Sequence, residues 1–188
     1  MYITGHPLDD ALIYAACAGI PPLGTSGRSD QRTAFVCMVD EVREHTARSG
    51  DKMAFLKVSG KTSETDVVVF PEAYRSYRQM LTIGAALLIE GNTSVRDGRM
   101  NVICERIVPA KEFIASFARR KLYIHLDSRD RQRIDRCVGC FDGRGGECTV
   151  LFVFDDIRRT ISHRTIKSCE LSADLLRRLS EITNISIG

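Results

Sequence analysis

The chain has no tryptophan, only 7% aromatic residues and five prolines among 188 residues. Bases of single-stranded nucleic acid stack on flat side chains, so this scarcity of rings argues against a tight, many-ringed stacking platform. No apolar run approaches the ~20 residues needed to span a bilayer. Leu12 to Ile20 is too short and lacks the basic start of a signal peptide. No membrane contact and a cytoplasmic location are expected. Catalytic groupings are missing too. Asp155 and Asp156 are adjacent, hence on opposite faces of a strand or in a turn, and no Ser, Cys or Lys has an evident base beside it. His6, held between Gly5 and Pro7, has no partner nearby in sequence and reads as a turn residue. Gly143-Arg144-Gly145-Gly146 lacks the Lys-Ser/Thr pair and following helix of a phosphate-binding loop. Neither a catalytic residue nor a cofactor is expected.

Cysteine is present in an odd number, seven, mostly inside apolar runs at 17, 37, 104, 137, 140, 148 and 169, which reads as reduced thiols. Cys137, Cys140 and Cys148 offer three zinc ligands, but no second pair follows at zinc-ribbon spacing, so no metal is expected. Net charge is +3, unevenly spread. Residues 1–29 hold one basic and two acidic residues, 30–110 hold eleven of each, and 111–188 hold fifteen basic against eleven acidic. A tight nonspecific nucleic-acid binder shows a basic surplus, so the neutral middle segment predicts a modest grip at most.

The extended segments concentrate in that middle. Ala34–Val42, the apolar core of a run reaching from Thr33 to Thr46, precedes Met53–Val58, and Asp66–Phe70 closes on Pro71. Ser49-Gly50-Asp51 and Ser59-Gly60-Lys61 read as hairpin turns, each with a glycine free to take positive φ. Glu72–Leu81 places Tyr74, Tyr77 and Leu81 on one helical face, fit to plug a barrel end. Ala85–Ser94 and Met100–Val108 supply two more strands. Five strands with one helix between the third and fourth is the order of an OB-fold, a small Greek-key barrel. The first strand is long enough to bend and serve both halves of it.

Beyond the barrel, Lys111–Arg120 reads as a helical connector. Leu122–Leu126 and Cys148–Phe154 read as strands, Asp130–Cys137 as a helix, and Ser172–Leu179 as a helix capped by Ser172. Arg158–Ile166 and Ile182–Ile187 are candidate further strands. The expected architecture is mainly β with α+β: a five-stranded OB-fold barrel over 30–110, then a small α+β C-terminal domain over 111–188. Asp9–Ala18 reads as a short helical stretch and Gly19–Ser29 as a linker.

For single-stranded DNA the candidate contacts are Arg43, Arg48, Lys52, Lys57, Arg96 and Arg99, with the loops after the first and fourth strands framing the ligand. Phe55 is the candidate stacking ring, with Phe35 a second, and Phe55 also suits a core position.

Gly50-x-x-Met53-Ala54-Phe55, Val67-Val68-Val69-Phe70-Pro71-Glu72-x-Tyr74, Glu90-Gly91 and Arg96-Asp97-Gly98, in this order, resemble the OB-fold region of the bacterial replicative DNA polymerase III alpha subunit. Tyr2-Ile3-Thr4-Gly5-His6-Pro7-Leu8 resembles the segment preceding that region in the same family, which implies that residues 1–29 are the tail of a preceding domain plus a linker and pack poorly. Where the family carries an acidic turn after the second strand, this chain has Val58-Ser59-Gly60-Lys61-Thr62-Ser63. The resemblance implies a noncatalytic fragment of a DNA-directed DNA polymerase, a nucleotidyltransferase whose catalytic aspartates lie in an absent palm domain, with Met1 an added start. It further implies weak binding of single-stranded template DNA by the barrel. The C-terminal domain would contact replisome proteins, in some members the clamp-loader tau subunit. The rival readings are a standalone nucleic-acid-binding OB module and a protein-interaction OB-fold without DNA binding. The latter gains if the basic side chains prove to be paired with Asp40, Glu41, Glu44 and Asp97.

Overall fold

A computed structural model describes residues 8–25, 29–96 and 99–188. In chain order the elements are α1 (Asp9–Cys17), β1 (Arg32–Thr46), β2 (Lys52–Ser59), β3 (Glu64–Val69), α2 (Pro71–Tyr77), β4 (Ala86–Arg96), β5 (Arg99–Pro109), α3 (Ala110–Ala115), β6 (Lys121–Leu126), α4 (Arg131–Val138), β7 (Cys148–Phe154), β8 (Arg159–Ile161), β9 (Ser168–Cys169), α5 (Ala173–Ser180) and β10 (Ile185–Ile187). They form two compact units, one built from residues up to Ala15 and from Ile20 to Phe113, the other from Ala16–Gly19 and Ile114–Gly188. No helix among the described residues is long and apolar enough to cross a membrane.

The first unit is a closed barrel in the order β1-β2-β3-β5-β4. Among the described residues its only parallel contact is β3 on β5. Period-2 alternation builds the interior: Phe35, Cys37 and Val39 of β1, Leu56 and Val58 of β2, Val67 and Val69 of β3, and Leu87 and Ile89 of β4 all point inward and are buried. β1 bends as its length predicts. Its first part pairs with β4 and its second with β2, and the ladder slips between Val39 and Glu41, which leaves Asp40 as a bulge. Asp40 accepts a hydrogen bond from Ser59 Oγ at 3.0 Å there.

Pro71 starts α2, where its missing N–H is not needed. The helix is shorter than expected. It ends at Tyr77 and continues as a 3-10 turn over Arg78–Met80. The tighter turn still delivers Leu81, which joins Tyr74 in the barrel core.

Gly50 has the positive φ its turn requires, +87°. Gly60 does not; it is small because a Cβ there would stand 3.2 Å from Leu23 Cβ. Leu23 belongs to the barrel core, and its carbonyl accepts Ser63 Oγ at 2.5 Å. The expectation that residues 1–29 pack poorly is therefore corrected: Leu8, Ala11 and Tyr14 are also buried, and Asp9 meets Lys61 at 2.7 Å. Residues 1–7 and 26–28, including His6 and most of the Tyr2–Leu8 motif, lie outside the described residues.

In the second unit the sheet runs β10-β6-β7-β8, with β9 also on β7. β6 and β7 are parallel. Asp130 caps α4 through Arg133 N, and Ser172 caps α5 through Leu175 N, as its position predicts. Of the run expected as one strand over 158–166 only β8 forms, β9 follows beyond it at Ser168–Cys169, and the last strand shrinks to Ile185–Ile187.

All seven cysteines are free and buried. Burial pushes the Cys17 and Cys137 thiols up to about 11 and Cys104 to about 12, and raises Cys37 further. A thiol raised in the folded state keeps a proton that the unfolded chain loses near pH 9, so its stabilisation is complete below that pH and is lost above it. Denaturant midpoints measured from pH 8 to 10.5 should fall above pH 9, approaching roughly 1.4 kcal/mol per pH unit for each such thiol. A flat profile would show that these thiols ionise as freely in the fold as outside it.

Candidate nucleic-acid interface

Residues that alternate with the core line the outer face of β1, β2, β3 and β5. Arg43, Phe55, Val68 and Ile103 are successive cross-strand partners, and Glu41, Lys57, Asp66 and Asn101 form the adjacent row. Both rows share one face because partners across a ladder point the same way. Above them lies an open groove of about 820 Å³, lined by Glu41, Arg43, Phe55, Lys57, Glu64, Asp66, Val68, Arg99 and Asn101 among others.

Phe55 is 37% exposed in this groove. Its ring lies 6.2 Å from that of His45, tilted by 59°. Phe35, the second candidate ring, is corrected: it is 2% exposed and fills the barrel core. The two phenylalanines diverge because Phe55 alternates with buried Ala54 and Leu56, whereas Phe35 falls in phase with Cys37 and Val39.

The cations are mostly occupied. Arg43 donates to both carboxylate oxygens of Glu41, at 2.7 and 3.0 Å, and the Glu41 carboxyl is held below its usual range chiefly by that hydrogen bond. Lys57 lies 3.2 Å from Glu64, and Lys52 lies 3.4 Å from Glu44. Glu44 also accepts the Tyr74 hydroxyl at 2.5 Å, the main reason its pKa is lowered. Arg48 and Arg99 have no ion-pair partner among the described residues.

The seven candidate residues thus separate. Arg43, Phe55, Lys57 and Arg99 converge on the groove. Lys52 faces a different hollow, beside Tyr74, Arg75 and Arg78 of the helical segment. Arg48 lies in the β1–β2 turn. β1 extends through Thr46 and carries Arg43 and His45 within the sheet. Arg96 and Arg99 end and begin strands as cross-strand partners. The Arg96 side chain and residues 97–98 lie outside the described residues.

Sequence reasoning missed the acids Glu64 and Asp66. The alternation Glu64, Asp66, Val68 along β3 carried the signal, hidden behind the apolar run Val67-Val68-Val69. With Glu41 they set three acids against Arg43, Lys57 and Arg99, so the groove is charge-balanced rather than basic.

Residues 36–110 match the family model described as the OB-fold nucleic acid binding domain, tRNA_anti-codon. The barrel is an OB-fold. Its surroundings are similar to known proteins as well. The chain is 25% identical over 187 residues to the DNA polymerase III subunit alpha of Bacillus subtilis, covering 97% of this chain and 16% of that protein. It is 27% identical over 106 residues to the protein of the same name from Streptococcus pyogenes, covering 56% of this chain and 10% of that one. The chain therefore spans a small part of the length of these relatives. Among solved structures, the SSB domain of a Synechococcus sp. protein aligns at 13% identity with a TM-score of 0.38, covering 44% of this chain and 96% of that one. The similarity to polymerase III alpha subunits agrees with the resemblance carried by the barrel motifs.

Proposed function

We propose that this chain is a noncatalytic part of a bacterial replicative DNA polymerase, whose OB-fold binds single-stranded template DNA weakly and whose second unit contacts other replisome proteins. The observation that carries the DNA reading is the outward-facing Phe55 set among Arg43, Lys57 and Arg99 in one open groove of the OB-fold. A base laid on the ring brings its flanking phosphates toward those cations. Two of the three already serve Glu41 and Glu64, so DNA must share or displace those carboxylates, which lowers affinity and leaves Arg99 as the contact with no ion-pair partner among the described residues.

Titration of a fluorescent oligothymidylate at several salt concentrations tests this. The expected dissociation constant is nearer micromolar than nanomolar. About two to four phosphate contacts should give a log-log salt slope of roughly −1.5 to −3 for a single strand. Nanomolar binding at physiological salt would show that the paired charges do not restrain the groove.

The three ion pairs favour a second reading, an OB-fold that binds protein and not DNA. Absence of oligothymidylate binding even at low salt would select it.

A further inference from the structure

The second unit carries its surplus of basic charge on one edge of its sheet. Between Ile157 and Lys167 there are four basic residues, Arg158, Arg159, Arg164 and Lys167, and no acid. None of the four has an ion-pair partner among the described residues, although the acids of the adjoining turn are engaged: Asp155 lies 3.4 Å from His125, and Asp156 accepts hydrogen bonds from the Ser128 N–H and hydroxyl. Those contacts anchor the turn and leave the basic side chains projecting from it.

The hairpin is also strained and unfinished. Arg158 has φ +51°, a left-handed conformation that costs a side-chain-bearing residue about 1 kcal/mol and that glycine would adopt freely. β8 pairs with β7 alone, and all three of its residues are exposed. Across the sheet, Ile185, Ile124, Phe152 and Ile161 are successive partners. Ile124 is 0% and Phe152 1% exposed, whereas Ile161, at the end of the same row, is 47% exposed. The row of core side chains therefore runs out into solvent at β8, and Ile157 in the turn is 50% exposed. An open backbone edge, an uncovered apolar row end and unpaired cations coincide within one short segment.

We propose that β8 is a docking edge for an extended acidic segment of another protein, which adds as a strand beside Arg159–Ile161 and covers Ile161. The main chain of the incoming segment would continue the ladder, its apolar side chains would extend the Ile124–Phe152–Ile161 row, and its carboxylates would meet Arg158, Arg159 and Arg164. A second copy of this chain is a poor occupant, since pairing β8 with itself gathers Arg158, Arg159 and Arg164 of both copies along one seam with no acid between Ile157 and Lys167 to offset them. Nucleic acid has no peptide ladder to offer the edge. The inference rests on the reading of the second unit as an interaction module and is independent of DNA binding by the barrel.

The test uses the whole 188-residue chain, with amide-resolved hydrogen exchange in the presence of a synthetic peptide alternating glutamate and valine, its lysine counterpart, or oligothymidylate. The glutamate peptide, at millimolar concentration, should slow exchange at Arg159–Ile161, and the lysine peptide should not. The double variant Arg158→Gly with Arg159→Glu should weaken the glutamate peptide about tenfold and admit the lysine peptide. Arg158→Gly alone suits the positive φ, so it keeps the hairpin while removing one cation and should weaken the glutamate peptide less. Protection by oligothymidylate in place of peptide, or concentration-dependent dimerisation that protects the same amides, overturns the proposal. Perturbation of residues 114–188 away from β8 overturns the edge and spares the interaction reading, whereas no perturbation anywhere in that unit counts against both.

Discussion

Replacing Gly91 with alanine is expected to destabilise the barrel by roughly 2 to 3 kcal/mol, as overpacking against an unyielding neighbour does. A Cβ at Gly91 would stand 2.1 Å from the Ile103 carbonyl oxygen and 3.2 Å from Cys104 Cα. Both are backbone atoms of β5, so no side-chain rotation relieves the clash. The site is also where the β4–β5 ladder slips: Glu90 pairs with Arg106 and Gly91 with Cys104, which leaves Glu105 bulged and accepting Asn92 Nδ2 at 2.5 Å. To admit the methyl group the two strands must separate at the bulge, loosening the row that holds Ile89 and Cys104 in the core. Urea unfolding should show the loss. A midpoint within error of the unsubstituted protein would mean the bulge yields at little cost, and that the glycine of the Glu90-Gly91 motif has some purpose other than close approach.

Replacing Phe55 with alanine should separate binding from folding. The ring sits on the outer face with 37% of its surface exposed, so its removal leaves no internal cavity and the melting temperature should move little. If a base stacks there, oligothymidylate affinity should fall by roughly 1 to 3 kcal/mol, about fivefold to more than a hundredfold. Weak starting affinity makes the change visible as near loss of binding. His45, with its ring 6.2 Å away, offers only partial compensation. Unchanged DNA affinity would remove Phe55 from the interface, and a large drop in melting temperature would return it to the packing role that its apolar character also allows.

Much of the barrel was legible in the chain because strands alternate with period 2 and turns have their own chemistry. Five strands, the interrupting helix begun at Pro71 and the bend in the long first strand follow from local patterns that the fold does not override. The Ser172 cap is equally local: its hydroxyl needs only an N–H three residues on.

Long-range approach is different in kind. Nothing adjacent to Gly60 or Gly91 in sequence reveals that Leu23 or Ile103 stands against them. The second unit shows the same limit. The stretch from Arg158 to Ile166 looks like one strand, yet only Arg159–Ile161 pairs, and a further strand, β9, forms after it; both are antiparallel to β7 but at opposite ends of it.

By itself the sequence determined the barrel, the order of its elements along the chain, its similarity to replicative polymerases and the absence of a basic surplus in residues 30–110. The tertiary structure alone decided which charges are free. Formal charge is a property of residue type, but availability depends on which carboxylate lies within about 4 Å. Lys52 and Lys57 acquire partners across turns on neighbouring strands, Arg43 pairs with Glu41 two residues back on the same face of β1, and Arg99 has no such partner among the described residues. It also decided that Phe55 faces outward and Phe35 inward, because the phase of each alternation relative to the core exists only once the barrel has closed.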